Sequence, residues 1–564
     1  MRRLVRRAST VATAAVLSTG GRGASTGEVI SNSFAAGTET SAEEPHPLLY
    51  QVPVLASRTI GRTAEVRALW QHLLSGRRYQ VLFGVDGIGK STIAAEFCDA
   101  VRHSQRFSCI QWFNAQHALP SQLRHFFASM QGRREKDVLL VLDDVAAPED
   151  AVSLIPEHAN VFVLMTTSAT DVASTTKVAC LSPPPLSPQA SQQFSPEPTC
   201  SPEVDTIFHN LGHVPLLMHV AALLLDAEVC SAPELCRVLV EKEVRRDDTL
   251  SISAALAVLL DLGIAALEAT YPAARAMLRV ISCFHTSDIS DAVLGAVVGD
   301  AGGEFAVAAS RLGIFSIKWE DGAFALHPLT ATVLRGPPDA AVVGRAADAL
   351  LTLWPRRWRG MGSHVAYHLV WHTYALAQHC AACGARLTPA LVTSMDRSAT
   401  FLAHIEARDL TVAGQLWWQV YAQHVALSEP ASAESVRMLR ECGRLFHFLK
   451  DPRAEEVLQR AWQDCVAVHG SSSAESALLL GCLGPYLPAT TSNMALVEAA
   501  VAVLEARLSS VDVVLAKEEV RMLWQTVFVL LMCKGQYMVE MQLAVPDDLR
   551  RAIDRADAAA KKVI

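Results

Sequence analysis

Lys90 and Ser91 close the run Gly84-Val85-Asp86-Gly87-Ile88-Gly89-Lys90-Ser91-Thr92, whose G-x-x-x-x-G-K-S spacing suits the binding of phosphate. Glycines at 84, 87 and 89 let the backbone turn tightly enough for successive N–H groups to face one anion. Lys90 then reaches the β- and γ-phosphates of a nucleotide, and the Ser91 hydroxyl becomes a ligand for Mg²⁺. A second set of chemistry-bearing residues follows the apolar run Val138-Leu139-Leu140-Val141-Leu142, which ends in Asp143-Asp144. A carboxylate at the end of a buried strand can hold Mg²⁺ through water, the role expected of Asp143, and its neighbour Asp144 can orient an attacking water. Each set also has a plainer reading. The first would be a glycine-rich turn with a surface lysine, the second a carboxylate pair capping a turn or helix.

The flanking sequence supplies elements to position both sets. Val81-Leu82-Phe83 reads as a strand entering the glycine loop, and Ile93-Ala94-Ala95-Glu96-Phe97 as a helix leaving it. Cys109 to Phe113 and Val161 to Thr167 read as further strands, the latter with a polar tip at Thr166-Thr167. Strands alternating with helical patterns predict an α/β domain built on a parallel sheet with both faces covered, its ligand at the carboxyl edge.

The ordered set Ile60-Gly61-Arg62, Gly84 to Thr92, Leu139 to Asp144, Leu164 to Thr167 and Gly212-His213-Val214-Pro215-Leu216 resembles an NB-ARC module, the nucleotide switch of STAND-class P-loop ATPases. The likeness extends over about residues 55–337. It implies ATP or ADP with Mg²⁺ as cofactors, with Thr166 at the nucleotide, Pro215 against the adenine ring and the Gly61-Arg62 segment along the other side of the base. Helical patterns from Asp261, followed by Phe315 to Phe324 with an Asp321-Gly322 turn, resemble the family's winged-helix subdomain. The unremarkable charge there argues against DNA as its ligand. In the next segment, Leu326-His327-Pro328-Leu329, the resemblance implies that His327 reads the β-phosphate of ADP; a buried capping histidine is the plainer reading. The chain departs from the family at Ser168, where an arginine usually senses the γ-phosphate, at Leu329 in place of aspartate, and in the seven prolines between Leu181 and Glu203. Nucleotide binding is thus a firmer expectation than turnover.

The last third is helical in pattern. Ser432-Ala433-Glu434-Ser435 recurs as Ser473-Ala474-Glu475-Ser476, and Gly443, Ala454 and Ala461 recur as Gly484, Ala495 and Ala502 at the same spacing. A period near ~40 residues predicts paired-helix units that bury one another's faces, resembling tetratricopeptide repeats, with a generic helical bundle as the alternative. Such an array implies protein partners. The expected organisation is a leader over 1–49, a P-loop nucleotide-binding domain over 50–180, a helical subdomain over 181–265, a winged-helix-like subdomain over 266–337 and helical repeats over 338–564.

Composition bounds the rest. The chain has 564 residues, 51% hydrophobic and 19% charged, with a net charge of −8, which disfavours general nucleic-acid binding and suits large helical cores. Arg2, Arg3, Arg6, Arg7 and Arg22 precede the first acid, Glu28, a composition that suits a mitochondrial transit peptide; a plain tail on a cytoplasmic protein is the alternative. The apolar run Leu250 to Ala269 carries Asp261 and Glu268 and reads as a buried helix, so no transmembrane segment is expected. Thirteen scattered cysteines fit free thiols, and the lone Cys380-Ala381-Ala382-Cys383 lacks a second pair at zinc spacing. The expected function is a nucleotide-controlled switch or scaffold with weak ATPase activity at most and nucleotide-dependent self-association. The competing reading is a catalytically silent, nucleotide-binding repeat scaffold; a metabolic phosphotransferase lacks a substrate-pocket signature.

Overall fold

The structure, a computed structural model, describes residues 48–50, 52–53 and 59–562, apart from 103, 105, 116–118, 131–136, 157–159, 170–171, 173–177, 196–200, 247–248, 319–322, 356–362, 406–408, 428–430 and 511–516. The arginine-rich leader and the Asp321-Gly322 turn lie outside the described residues. Among those residues, one compact unit runs to Pro355 and includes Gln378–Ala385, and a second comprises 363–377 and everything from Arg386.

The first unit is built on a sheet of β1 (Leu48–Tyr50), β2 (Tyr79–Phe83), β3 (Cys109–Asn114), β4 (Val138–Asp143), β5 (Val161–Thr167) and β6 (Val178–Leu181). Its order is β1-β3-β4-β5-β2-β6, and every neighbouring pair is parallel. The strands are nearly all apolar because both faces are covered, so alternate residues go to opposite cores. Leu139 and Val141 of β4 join Leu82, Ile110 and Leu164 on one face. That face packs on Leu69 and Leu73 of α1 (Thr63–Leu74) and on Ile93, Phe97 and Val101 of α2 (Lys90–Arg102), apolar positions one helical turn apart. Val138, Leu140 and Leu142 turn the other way, toward Leu123 and Phe126 of α3 (Leu119–Ser129) and Ala151 of α4 (Pro148–Ser153). The helix after β2 and the helix after β4 therefore cover opposite faces. Such a reversal leaves a crevice outside the strand carboxyl ends, where doubly wound sheets bind ligands.

The proline-rich stretch becomes a connector in which two prolines start helices. Pro188 opens α5 (Pro188–Ser191) and Pro202 opens α6 (Pro202–Asn210), each after a serine cap whose oxygen accepts from a first-turn amide. Proline lacks only an N–H that the first turn leaves unpaired anyway. Next come α7 (Pro215–Asp226), α8 (Ala232–Glu241), the short antiparallel pair β7 (Arg245–Arg246) and β8 (Thr249–Leu250), and α9 (Ile252–Glu268), in which Leu256, Leu259, Leu260 and Ile264 are buried. This α9 spans the expected 265/266 boundary. The unit continues through α10 (Ala274–Ile281), α11 (Asp291–Val298) and α12 (Gly302–Arg311) to an antiparallel pair, β9 (Ser316–Lys318) with β10 (Ala323–Ala325). Ile289 and Phe324 exchange two backbone hydrogen bonds of 2.9 Å, docking that pair on the segment before α11. It closes with α13 (Pro328–Arg335) and α14 (Ala340–Leu353), which packs on α10 and α11, so the units divide later in the chain than residue 338.

After α15 (Ser363–Ala382), whose end belongs to the first unit, the second is a succession of helices, each packed on its chain neighbours: α16 (Pro389–Thr400), α17 (Leu410–Ala426), α18 (Ala433–Leu449), α19 (Ala454–His469), α20 (Ala474–Leu483), α21 (Thr491–Ser509), α22 (Lys517–Glu540) and α23 (Asp547–Lys562). The recurring serines are matching caps. Ser432 Oγ accepts from the Ser435 amide and Ser473 Oγ from the Ser476 amide, both at 3.1 Å. Small residues bring helices close: a Cβ at Gly443 would lie 2.6 Å from Leu458 Cδ2 of α19, and one at Gly481 2.4 Å from Thr526 Cγ2 of α22. Glu441, buried on α18, takes Arg440 at 3.0 Å and Arg444 at 3.2 Å, with His404 at 3.6 Å. Burial alone would push its carboxyl up, but Arg444, His404 and Arg440 outweigh that and hold it well below the usual carboxylate range. Among the described residues no single helix is long and apolar enough to cross a membrane.

Candidate functional site

The glycine loop between β2 and α2 uses backbone that other residues rarely adopt, with φ of +138° at Gly84, +79° at Gly87 and +97° at Gly89. Ile88, almost fully buried, anchors the loop from below, while Val85 and Asp86 at its tip are exposed. Ile93 N donates to Gly89 O at 2.9 Å, so the amides of Lys90, Ser91 and Thr92 belong to the unpaired first turn of α2. They face outward with the positive end of the helix dipole, the usual anion seat. The buried Lys90 curls back over the loop, where Nζ donates to Gly84 O at 2.8 Å and Val85 O at 3.0 Å and lies 3.6 Å from Asp86 Oδ1.

The strand order places β5 between β2 and β4, and Thr166 of β5 joins the two sides. Its hydroxyl donates to Asp143 Oδ1 at 2.6 Å and accepts from the Asp144 amide at 2.8 Å. Ser91 Oγ donates to the same Asp143 oxygen at 2.7 Å. Burial pushes the Asp143 carboxyl up; the Thr166 and Ser91 hydrogen bonds oppose this, Asp144 adds to it and Lys90 opposes it. Asp144 itself sits at φ +62°, a left-handed conformation uncommon outside glycine, at the very end of the strand. Ser91, Thr166 and Asp143 are thus a hard-oxygen set of two hydroxyls and a carboxylate, chemistry that fits Mg²⁺ alongside ligand phosphates better than a softer metal. Among the described residues no group of three or more His, Cys, Asp or Glu is arranged for a metal, Cys380 and Cys383 included.

His327 caps α13, accepting the Leu329 amide on Nδ1 at 3.2 Å, which leaves the proton of the neutral ring on Nε2. Though part of its surface is open, the ring is surrounded by protein. Burial lowers its pKa to about 4, Asp86 opposing and Lys90 adding to the shift. His327 thus feels the charges of both loop residues, although it comes from far along the chain.

A second wall is formed by the turn before α7. Gly212 (φ +61°) and His213 (φ +52°) are left-handed, Leu216 N donates to Gly87 O at 3.2 Å, and Leu186 N donates to His213 O at 3.1 Å. Ser191 Oγ and His213 Nδ1 are hydrogen-bonded at 2.9 Å. Pro215, half-buried, opens α7 beside Leu216, whose side chain would meet a Cβ at Gly87 within 2.8 Å. Gly61 (φ +67°) packs against this wall, where its own Cβ would fall 2.6 Å from Ala190 Cβ. Arg62 is not a wall residue. Its buried guanidinium donates from Nη1 to Pro184 O at 2.7 Å and Glu65 Oε1 at 3.2 Å, and from Nη2 to Ile88 O at 2.7 Å.

The loop residues Gly84 to Thr92 thus meet Asp143, Asp144, Thr166, Gly61, Pro215 and His327 around one sheet edge. Sequence reasoning missed the roles of Glu65, which holds Arg62 from three residues on, and of Pro184 and Ser191, which act through a backbone carbonyl or a partner in a distant segment. Leu216 lay in a quoted motif, but its amide bond to Gly87 O was not legible there. Ser168 is exposed just beyond β5. The chain matches no family profile and no curated protein.

Proposed function

We propose that the chain is a nucleotide-binding switch of the NB-ARC kind, holding ADP or ATP with Mg²⁺ at the carboxyl edge of the sheet. The observation that carries this reading is the convergence of the α2 first-turn amides and Lys90 with the Ser91–Asp143–Thr166 oxygen set. The loop amides and Lys90 would bind the phosphate chain, and Ser91 and Asp143 would hold the cation. Bound Mg²⁺ would supply charge neutralisation on the phosphates. Pro215 and Gly61 would flank the base. His327, with its proton on Nε2, would donate to the β-phosphate of ADP and so tie α13 to the loop. Asp144, fixed by Thr166, would orient a water in turnover. The helices after residue 386 would bind protein partners, with nucleotide state governing access to them and self-association; this requires each ligand to bind two conformations unequally. The leader would direct the protein to mitochondria, a cytoplasmic location being the alternative.

A second reading, a nucleotide-holding scaffold without turnover, is favoured by Ser168 at the tip of β5 and by Arg62, whose guanidinium is committed to carbonyl groups. One experiment separates the two. The full chain is purified beside Lys90→Ala and Asp143→Ala, and bound nucleotide and hydrolysis are measured. Co-purified ADP with slow Mg²⁺-dependent turnover, lost in both variants, supports the switch. Tight ADP without turnover supports the scaffold, and no nucleotide at all refutes both.

A further inference from the structure

We propose that Arg62 is a positioning residue for the phosphate cradle, turning the Gly89 amide toward the anion rather than lining the base. This rests on the nucleotide reading of the loop. A peptide group is planar and trans, so its C=O and N–H point in opposite directions. Whatever holds the carbonyl of one residue therefore aims the amide of the next. Arg62 Nη2 grips Ile88 O at 2.7 Å from beneath the loop, and that grip sends the Gly89 N–H to the opposite, open side. Gly89 itself has open space beside its Cα, where a built Cβ would meet nothing within 4 Å.

The neighbouring peptide is held in the same manner from the other wall. Leu216 N donates to Gly87 O at 3.2 Å, which aims the Ile88 amide. Two successive planes of the loop are thus set by two segments distant in sequence, and Arg62 is the side chain in that pair. Its geometry suits the task. A guanidinium offers a rigid fork of donors, and here the fork spans Ile88 O and Pro184 O, both at 2.7 Å, while Glu65 Oε1 holds Nη1 at 3.2 Å. Lysine, with one flexible ammonium, cannot hold both carbonyls at that separation in fixed directions. Buried at 3% exposure, Arg62 has no open surface to offer a base.

The test compares the full-length chain with its Arg62→Lys and Glu65→Gln variants by calorimetric titration of ADP, pyrophosphate and adenosine. Arg62→Lys is expected to weaken ADP and pyrophosphate by the same factor, about tenfold for one misaimed amide–phosphate hydrogen bond, and to leave adenosine unchanged. Glu65→Gln loosens Arg62 and moves the same ratio less. A general loss of structure would lower adenosine binding as well, so the pyrophosphate-to-adenosine ratio reads positioning specifically. If Arg62→Lys weakens adenosine and spares pyrophosphate, or changes none of the three, the proposal is overturned. Should Arg62→Lys fail to fold by circular dichroism, the ratio for Glu65→Gln decides. If the unsubstituted chain binds neither ADP nor pyrophosphate, the nucleotide reading itself fails, a result distinct from any change between variants.

Discussion

The two units use polar pairing differently. In the sheet unit, polar atoms meet from remote points in the chain: Arg62 on Ile88 and Pro184, Ser91 and Thr166 on one oxygen of Asp143. In the helical unit the repeated caps serve their own helix ends, as Ser432 does for Ser435 and Ser473 for Ser476, and longer bonds tie one helix to another singly, as Arg437 does to Asp396 and Tyr537 to Gly484 O. Local pairing costs little ordering entropy and completes a helix end. Long-range pairing of polar groups in a low-dielectric setting costs more and persists where the arrangement fixes directions that apolar packing cannot. The lesson is that convergence, rather than the number of hydrogen bonds, distinguishes a site from scaffolding. Glu441 tests that rule from the other side, since its ion cluster is dense and buried yet drawn chiefly from α18.

The sharpest way to break the contrast is therefore Glu441→Gln. It leaves Arg440 and Arg444 without their carboxylate, and a loss of about 3–5 kcal/mol is expected, read by denaturant unfolding with hydrogen exchange localised to α18. A loss under about 1 kcal/mol would mean that the cluster behaves as surface ion pairs do.

The next effect belongs to His327. Its folded-state pKa of about 4 lies below the ordinary histidine value of about 6.5, so the unfolded chain binds more protons between those limits. Stability is full above that window and falls as pH drops through it, by up to about 3 kcal/mol. His379, lowered to about 4 by burial and then by Arg335, adds a parallel loss. His327→Asn keeps an N-cap acceptor for Leu329 and removes one titration, so unfolding profiles from pH 7 to pH 4 should flatten in part, with His379, His219 and His447, all lowered by burial, keeping the remainder. An unchanged profile would leave the acid sensitivity to other groups.

Smaller effects follow in the helices. Gly443→Val drives methyl groups into Leu458, which is fully buried, and should cost about 1–3 kcal/mol in thermal unfolding. Ser432→Ala and Ser473→Ala should each cost about 1 kcal/mol and add when combined, as independent caps do. Non-additivity would show that the matching caps are coupled.

The sequence made much of the sheet legible because β4 and β5 carry apolar runs of five residues and β2 ends in one of three, buried on both faces. The short β1 and β6 carried too few residues for such a pattern. Lys90, Ser91 and Asp143 stood out because their chemistry lies in side chains at fixed distances from glycines or strand ends. The carbonyl groups of Ile88 and Pro184 and the amide of Leu216 could not stand out, since every residue carries such groups and only folding selects which ones meet. Pro188 and Pro202 were readable in principle: serine-proline before a helical run is a start signal, though seven prolines together read as irregular chain.

The near-contact of α20 and α22 at Gly481 carries a consequence for descent. Gly481 lies in ordinary helical backbone, and the clash that a Cβ there would meet is with Thr526 Cγ2, at 2.4 Å. The two positions therefore share one allowance of volume. A lineage can enlarge residue 481 only after residue 526 has shrunk, and while 481 is glycine, 526 is free to keep its methyl group. Drift at these sites should be ordered and paired, leaving a joint signature across descendants where each position alone would look merely variable.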